Sequence, residues 1–397
     1  MQSRGIVFLA ALLAAAIAAA GPRPAAEHAS QGEKSMVPGE LLVYIGTYTN
    51  NERSKGIYVS RLTLATGRLT DPELAAESTN PSFLAVHPDG RHLYAANEVS
   101  SYEGRQTGAV SAFAIDRDSG LLTPLNQQSS GGAGPAHLIV DRTGRVVLVA
   151  NYGGGSVAAL PIRSDGHLAV PASVNSHTGS SIHPTRQAKP HAHSINVDES
   201  NRFAYAADLG IDKMIIYKLD PAAATLTPHT PASVAVAPGS GPRHFAFHPT
   251  RPYAYLLNEM LLTITAFNHD ATSGALSEVL TLSTLPPGVD AQSEFSGAEV
   301  QVHPSGRFLY ASNRGHDSIT VFAIDQSTGR LTFVGSEPTQ GSFPRGFGID
   351  PTGRLLLAGN QRSHTVVAFR IDQATGQLTP TGQSLSIGTP VCVKFVQ

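Results

Sequence analysis

The sequence predicts an all-β fold: a seven-bladed β-propeller of four-stranded antiparallel blades, closed by the C-terminal strand joining the N-terminal blade. Three observations predict it. A two-strand segment recurs along the chain, its copies start 46 to 57 residues apart, and the two ends carry complementary fragments of one copy. A period of that size built from short strands marks a blade, because a lone four-stranded sheet exposes both faces and must pack on neighbours.

Composition agrees with many short strands and tight turns. The 397 residues include 38 Gly and 27 Pro, and only 15% are charged. A formal net charge of -2 gives no basic surface for nucleic acid. The single cysteine, Cys392, cannot form an intramolecular disulfide, so a large core has to supply stability without a covalent staple.

The first residues read as targeting. Arg4 precedes an apolar, alanine-rich run over residues 6–20, the charge-then-apolar pattern of a secretory signal peptide spanning residues 1–20, with cleavage after Ala20 or as late as Ala26. The run is short for a membrane span, which needs about 20 apolar residues. Residues 21–40, rich in Ala, Pro, Ser and charge, form a flexible lead-in, and the propeller domain occupies 41–397. The expected location is periplasmic or extracellular, and the expected state a monomer.

The repeat itself has two halves. Segments such as NPSFLAVHPDGRHLYAANE and SGAEVQVHPSGRFLYASNR alternate apolar and polar residues, turn at Asp89-Gly90 or Ser305-Gly306, and end at Asn. A second hairpin follows, as in DSITVFAIDQSTGRL, with its turn at Gly329. The copies are anchored at Pro81, Pro135, Ala192, Pro242, Gly297, Pro344 and Pro390. The last copy, TPVCVKFVQ, has only a first strand, whereas the first, beginning LLVYIGTYTN, has only the other three; joining them closes the ring and leaves no open edge. Cys392 lies in the closing strand, where it reads as a small buried hydrophobe with no Lys, His or Arg beside it in the strand pattern.

In each first hairpin, the start of strand one and the end of strand two share an edge of the sheet, so residues after the anchor and after the Asn line one mouth. The positions after the anchor include His137, His193, Arg243, His244, Glu299 and Arg345; those after the Asn include Glu98, Glu259 and Arg314. Blade packing requires none of these titratable groups, and their convergence suits an anionic or carbonyl substrate. The competing structural reading is an inter-strand ion pair, Arg243 with Glu259. His87, His248 and His303 recur before the turn and read as turn or core residues. The spacings of His177, His183, His191 and His193 match no zinc pattern, so no metal and no cofactor is expected.

The motifs PHAHS at Pro190, GPRHFAFHP at Gly241, YLLNE at Tyr255, AEVQVHPSGRFLYASNRG at Ala298 and FPRGFGIDPTGR at Phe343 resemble the bacterial propeller-type 6-phosphogluconolactonase family, related to fungal carboxy-cis,cis-muconate lactonizing enzymes. The resemblance runs from about Tyr44 to the C-terminus. It implies lactone chemistry without a required metal, with His193, Arg243, Glu259 and Arg314 as the matching catalytic residues. His137, His191, His244, Glu98, Glu299 and Arg345 are then candidates for substrate binding. Lactone hydrolysis needs a base for water, donors for the oxyanion and an acid for the leaving alkoxide. Either Glu259 or His193 can be the base. No Gly-x-Ser-x-Gly elbow supports a serine-hydrolase route. An export signal favours a non-phosphorylated aldonolactone over a cytosolic sugar phosphate. The alternatives are a muconate-type cycloisomerase and a non-catalytic binding propeller.

Overall fold

The computed structural model describes residues 39–50 and 52–397, so the targeting segment and most of the lead-in lie outside the described residues. Every regular element among the described residues is a β-strand, and the strands form seven antiparallel sheets around an axis. In the second blade the strands run in chain order from the axis outward: Pro81–Val86, His92–Asn97, Ala109–Ile115 and Leu122–Ser129. Five further blades repeat this order.

The first blade is assembled from both ends of the chain. Pro390–Val396 is its innermost strand and pairs with Glu40–Thr47, from Leu42 opposite Val396 to Thr47 opposite Pro390. Gly56–Thr63 follows, and the outermost position is split between Arg68–Leu69 and Glu73–Glu77, both paired to Gly56–Thr63. The outer strand is therefore interrupted here, where the repeat predicts a continuous one.

Burial follows position within the blade. Phe308–Arg314 is buried at every residue, whereas Leu122–Ser129 is buried only at Leu122. Strands near the axis are covered on both faces by neighbouring blades, so they are apolar without alternation, while outer strands keep a wet face. The core lies between blades: Tyr255, Leu257 and Ile264 of the fifth pack on Val300, Leu309 and Phe322 of the sixth.

Three recurring side chains stitch many of the blades to their neighbours. Tyr44, Tyr94, Tyr205, Tyr255 and Tyr310 each donate their hydroxyl to the carbonyl of a turn glycine, from Gly120 to Gly376, in the next blade's outer hairpin. The Asn ending the second strand donates backward, Asn97 to Thr79 O and Asn360 to Thr339 O. His87, His248 and His303 bond Gly144, Gly306 and Gly353 of the next blade through Nε2 and accept a turn N–H at Nδ1. These bonds explain why the repeat carries those residue types.

Candidate functional site

The ring places chemistry through a repeated irregularity. Each innermost strand slips register next to its anchor: Pro81 faces Asn97 but Phe83 faces Ala96, leaving Ser82 unmatched. The equivalent extra residues are Ala136, His193, Arg243, Arg345 and Val391, and the sixth blade slips between Gly297 and Val300. A β-bulge of this kind turns one side chain away from the ladder. Here it frees His193, Arg243 and Arg345 from sheet packing at one end of the axis.

Glu259 is the hub of that end. Its Oε2 accepts from Arg243 Nε at 3.0 Å and lies 3.0 Å from Arg314 Nη2, while Oε1 accepts from Arg186 Nη2 at 2.6 Å. His193 Nε2 stands 3.9 Å from Oε2, too far for a hydrogen bond. The Arg243 guanidinium also donates to Ala298 O, and Arg314 Nη2 to Gly297 O at 2.8 Å. His193 Nδ1 and Arg314 Nε are buried without a protein partner. Arg345 lies over the Tyr48 ring at 5.3 Å and makes no hydrogen bond or ion pair among the described residues. Buried polar atoms are normally paired, so His193 Nδ1 and Arg314 Nε are exceptions at this end of the axis. A cavity of about 260 Å³ opens on Glu259 and Arg186, lined also by His183, Met260, Glu294 and Phe295.

Four guanidiniums, Arg186, Arg243, Arg314 and Arg345, face two carboxylates, Glu259 and Glu98, so the mouth is net positive. Burial works to raise the Glu259 carboxyl, but Arg314, Arg243 and Arg186 together hold it well below the usual carboxylate range. Burial, with Arg314 and Arg345 nearby, pushes the Arg243 guanidinium down to about 9, outweighing Glu259 and still leaving it charged at neutral pH. His193 is held well below the ordinary imidazole range by burial and then by Arg243, so it is a neutral imidazole with a free nitrogen.

Burial also depresses His137 and His244. In the unfolded chain such imidazoles bind protons near pH 6.5, before the folded protein does, so their contribution to stability is present above that pH and lost below it. Each can remove up to about 1.4 kcal/mol per pH unit. Glu299, raised by burial, acts in the opposite sense, while Glu259 adds to the loss below the ordinary Glu value of about 4.3. Thermal melting should therefore fall steadily from pH 7 to pH 5; a flat profile would contradict three buried neutral imidazoles.

The structure brings His193, Arg243, Glu259 and Arg314 together, with Arg345 and Glu98 alongside, where Tyr48 donates to Glu98 at 2.7 Å. His191 stacks on Tyr152 at 4.5 Å on the rim. His137, His244 and Glu299 lie one layer deeper: His244 is 5.4 Å from His193 between ring centres, and its Nδ1 meets Glu299 Oε1 at 3.1 Å. The histidines of the 177–193 segment disperse, His177 binding Asp208 and Tyr217 while His183 caps a turn. Among the described residues one metal-capable group stands out, His87, Asp89 and His92, and His87 there keeps its turn and inter-blade bonds.

One reading needs correction, and one residue was missed. Lys394 lies two residues from Cys392 on the same strand face; even so, burial pushes the thiol up to about 11, and Sγ accepts from Leu84 N at 3.4 Å. Arg186 was not a sequence candidate because it sits in the 177–190 insertion, outside the repeat; the one available signal was an arginine in a long segment leading into the fourth blade.

Comparison with known proteins shows the family to which this fold belongs. The sequence pattern of the family described as "Lactonase, 7-bladed beta-propeller" matches residues 42–395. A 6-phosphogluconolactonase of Bacillus subtilis is 40% identical over 353 residues, covering 89% of this chain and 97% of the relative. A 6-phosphogluconolactonase of Formosa agariphila is 33% identical, covering 78% and 86%. The structure of a periplasmic gluconolactonase from Pseudomonas aeruginosa superposes with a TM-score of 0.84 at 35% identity, covering 90% of this chain and 99% of the other. With the propeller complete and the family pattern spanning nearly all of it, the chain belongs to the seven-bladed β-propeller lactonase family.

Proposed function

We propose that the protein hydrolyses a sugar lactone at the mouth built around Glu259, as a lactonase acting on a carboxylic ester bond. The observation that carries this is the pairing of a neutral, half-free imidazole, His193, with guanidiniums held rigidly by Glu259. Glu259, kept ionised by three arginines, is a poor proton acceptor, and its role is to orient Arg243 and Arg314. His193 takes a proton from water as the water oxygen bonds to the lactone carbonyl carbon. Arg243 and Arg314 stabilise the resulting oxyanion, the ring C–O bond breaks, and the leaving alkoxide receives the proton from His193. Lactone and water give one hydroxy acid, with no cofactor consumed.

Arg345, with no protein partner to satisfy it, suits a second anionic or polyhydroxylated part of the substrate. The names of the relatives support sugar lactones of both kinds, phosphorylated and not. The segment over residues 1–20 favours an exported protein and a non-phosphorylated aldonolactone. Purified protein should open glucono-δ-lactone faster than the spontaneous reaction and faster than the 6-phosphorylated lactone, and protein from its native host should begin after Ala20 or Ala26 by mass spectrometry. Failure to open either lactone overturns the enzymatic reading; an intact Met1 overturns export alone.

A further inference from the structure

Leu209 and Gln361 show that the register after the strand-ending Asn or Asp requires no charge, yet two blades place a carboxylate there, Glu98 and Glu259. Glu259 is taken up by three guanidiniums. Glu98 has none among the described residues. Its side-chain partner is the Tyr48 hydroxyl, which donates to Oε2 at 2.7 Å and leaves Oε1 unused.

Arg345 lies over the face of that same tyrosine, 5.3 Å from the ring centre, and pairs with neither Glu98 nor any other described group. Burial works to lower its guanidinium, but Tyr48, Glu98 and Glu259 hold it above the ordinary value, so Glu98 is within electrostatic reach without contact. Behind burial and nearer charges, Arg345 also helps push His193 and Arg243 down, which sets it at their mouth. Unlike His193 Nδ1 and Arg314 Nε, which are buried, Glu98 Oε1 and the Arg345 nitrogens reach solvent on half-buried side chains.

The backbone holds this arrangement in place. Asn80 accepts from Glu98 N at its carbonyl, at 3.0 Å, and from Thr49 N at its Oδ1, at 2.8 Å, tying the carboxylate and the Tyr48 segment to one residue. The mouth thus offers, around one tyrosine, an acceptor without a donor and a guanidinium fork without an acceptor. A hydroxyl satisfies both, since it donates to the carboxylate and accepts from the guanidinium. A phosphate would meet Arg345 but find a like charge in Glu98, which is unfavourable.

We propose that Glu98 and Arg345, set by Tyr48, form a subsite for two neighbouring hydroxyls of a sugar, and that Glu98 is a specificity-determining residue for lactones with a free polyol. That the sugar arrives as a lactone rests on the hydrolytic function proposed above.

Hydrolysis of glucono-δ-lactone and of δ-valerolactone, the same ring without hydroxyls, tests the subsite on the full chain. The ratio of kcat/KM for the two should fall roughly tenfold in Glu98→Gln and in Arg345→Met, the scale of one lost charged hydrogen bond. The loss on the sugar lactone should lie mainly in KM, and melting checks that each variant is folded. Titration calorimetry with gluconate and hexanoate probes the same groups without turnover: the parent should prefer gluconate, and each variant should lose most of that preference. A parental ratio in the folded variants, or a parent that binds the two acids equally, would overturn the subsite. A parent that opens neither lactone, with a gluconate preference that disappears in the variants, would overturn hydrolysis and support the subsite.

Discussion

Arg243→Ala should lower lactone turnover about a hundredfold or more, the scale on which one oxyanion donor acts, while the protein still folds. The carboxylate left behind remains compensated, because Glu259 keeps Arg314 at 3.0 Å and Arg186 at 2.6 Å. Glu259→Gln runs the other way. It strands Arg243 and Arg314, both buried, without their counter-charge, and an unpaired buried charge destabilises by about 3–5 kcal/mol. This variant should lose rate and melt at a clearly lower temperature, with the stability loss exceeding that of Arg243→Ala. The ordering of the two melting temperatures separates a hub carboxylate from a catalytic base, since a base would lose rate on conversion to the isosteric amide and keep its stability. Unchanged hydrolysis in both variants, corrected for spontaneous opening, would remove the mouth from the chemistry.

Deleting residues 390–397 should abolish cooperative folding. The missing segment supplies an entire innermost strand, paired along Glu40–Thr47. It buries Val391, Cys392, Val393 and Val396, each 4% exposed or less. Full burial of one such aliphatic side chain contributes about 1.5–3 kcal/mol, comparable in sum with the whole stability of an ordinary domain, about 5–15 kcal/mol. The deletion also opens Glu40–Thr47 as an apolar strand edge, which invites aggregation. A truncated protein that melts sharply near the parental temperature would refute closure of the ring by the C-terminal strand.

Blade number, anchors and closure were legible in the sequence because the same physics recurs seven times. A turn glycine, a strand-ending Asn and an axial strand without alternation each leave a residue-type signature, and repetition makes the signature visible. The hub was half legible. Arg243, Glu259 and Arg314 stood out as charges at positions that packing leaves idle, but their spokes depend on how two blades angle toward the axis, and Arg186 enters from an insertion with no repeat to measure it against. Depth along the channel was illegible. His193 and His244 were both placed at one mouth, and the bulge that separates them is a backbone irregularity with no residue signature: the extra residue is Ser82, Ala136 or Arg243 according to blade.

That bulge has a consequence for how such a protein can change. Because the unmatched residue hangs off the ladder, its identity is uncoupled from the interblade core, and Val391, Ala136 and Arg243 are accommodated at equivalent backbone positions of one molecule. The axis therefore behaves like a keypad whose positions share an invariant chassis, even where, as at Arg243, the keys touch one another. Specificity can be rewritten at the bulge of one blade while the ladder of that blade keeps its register.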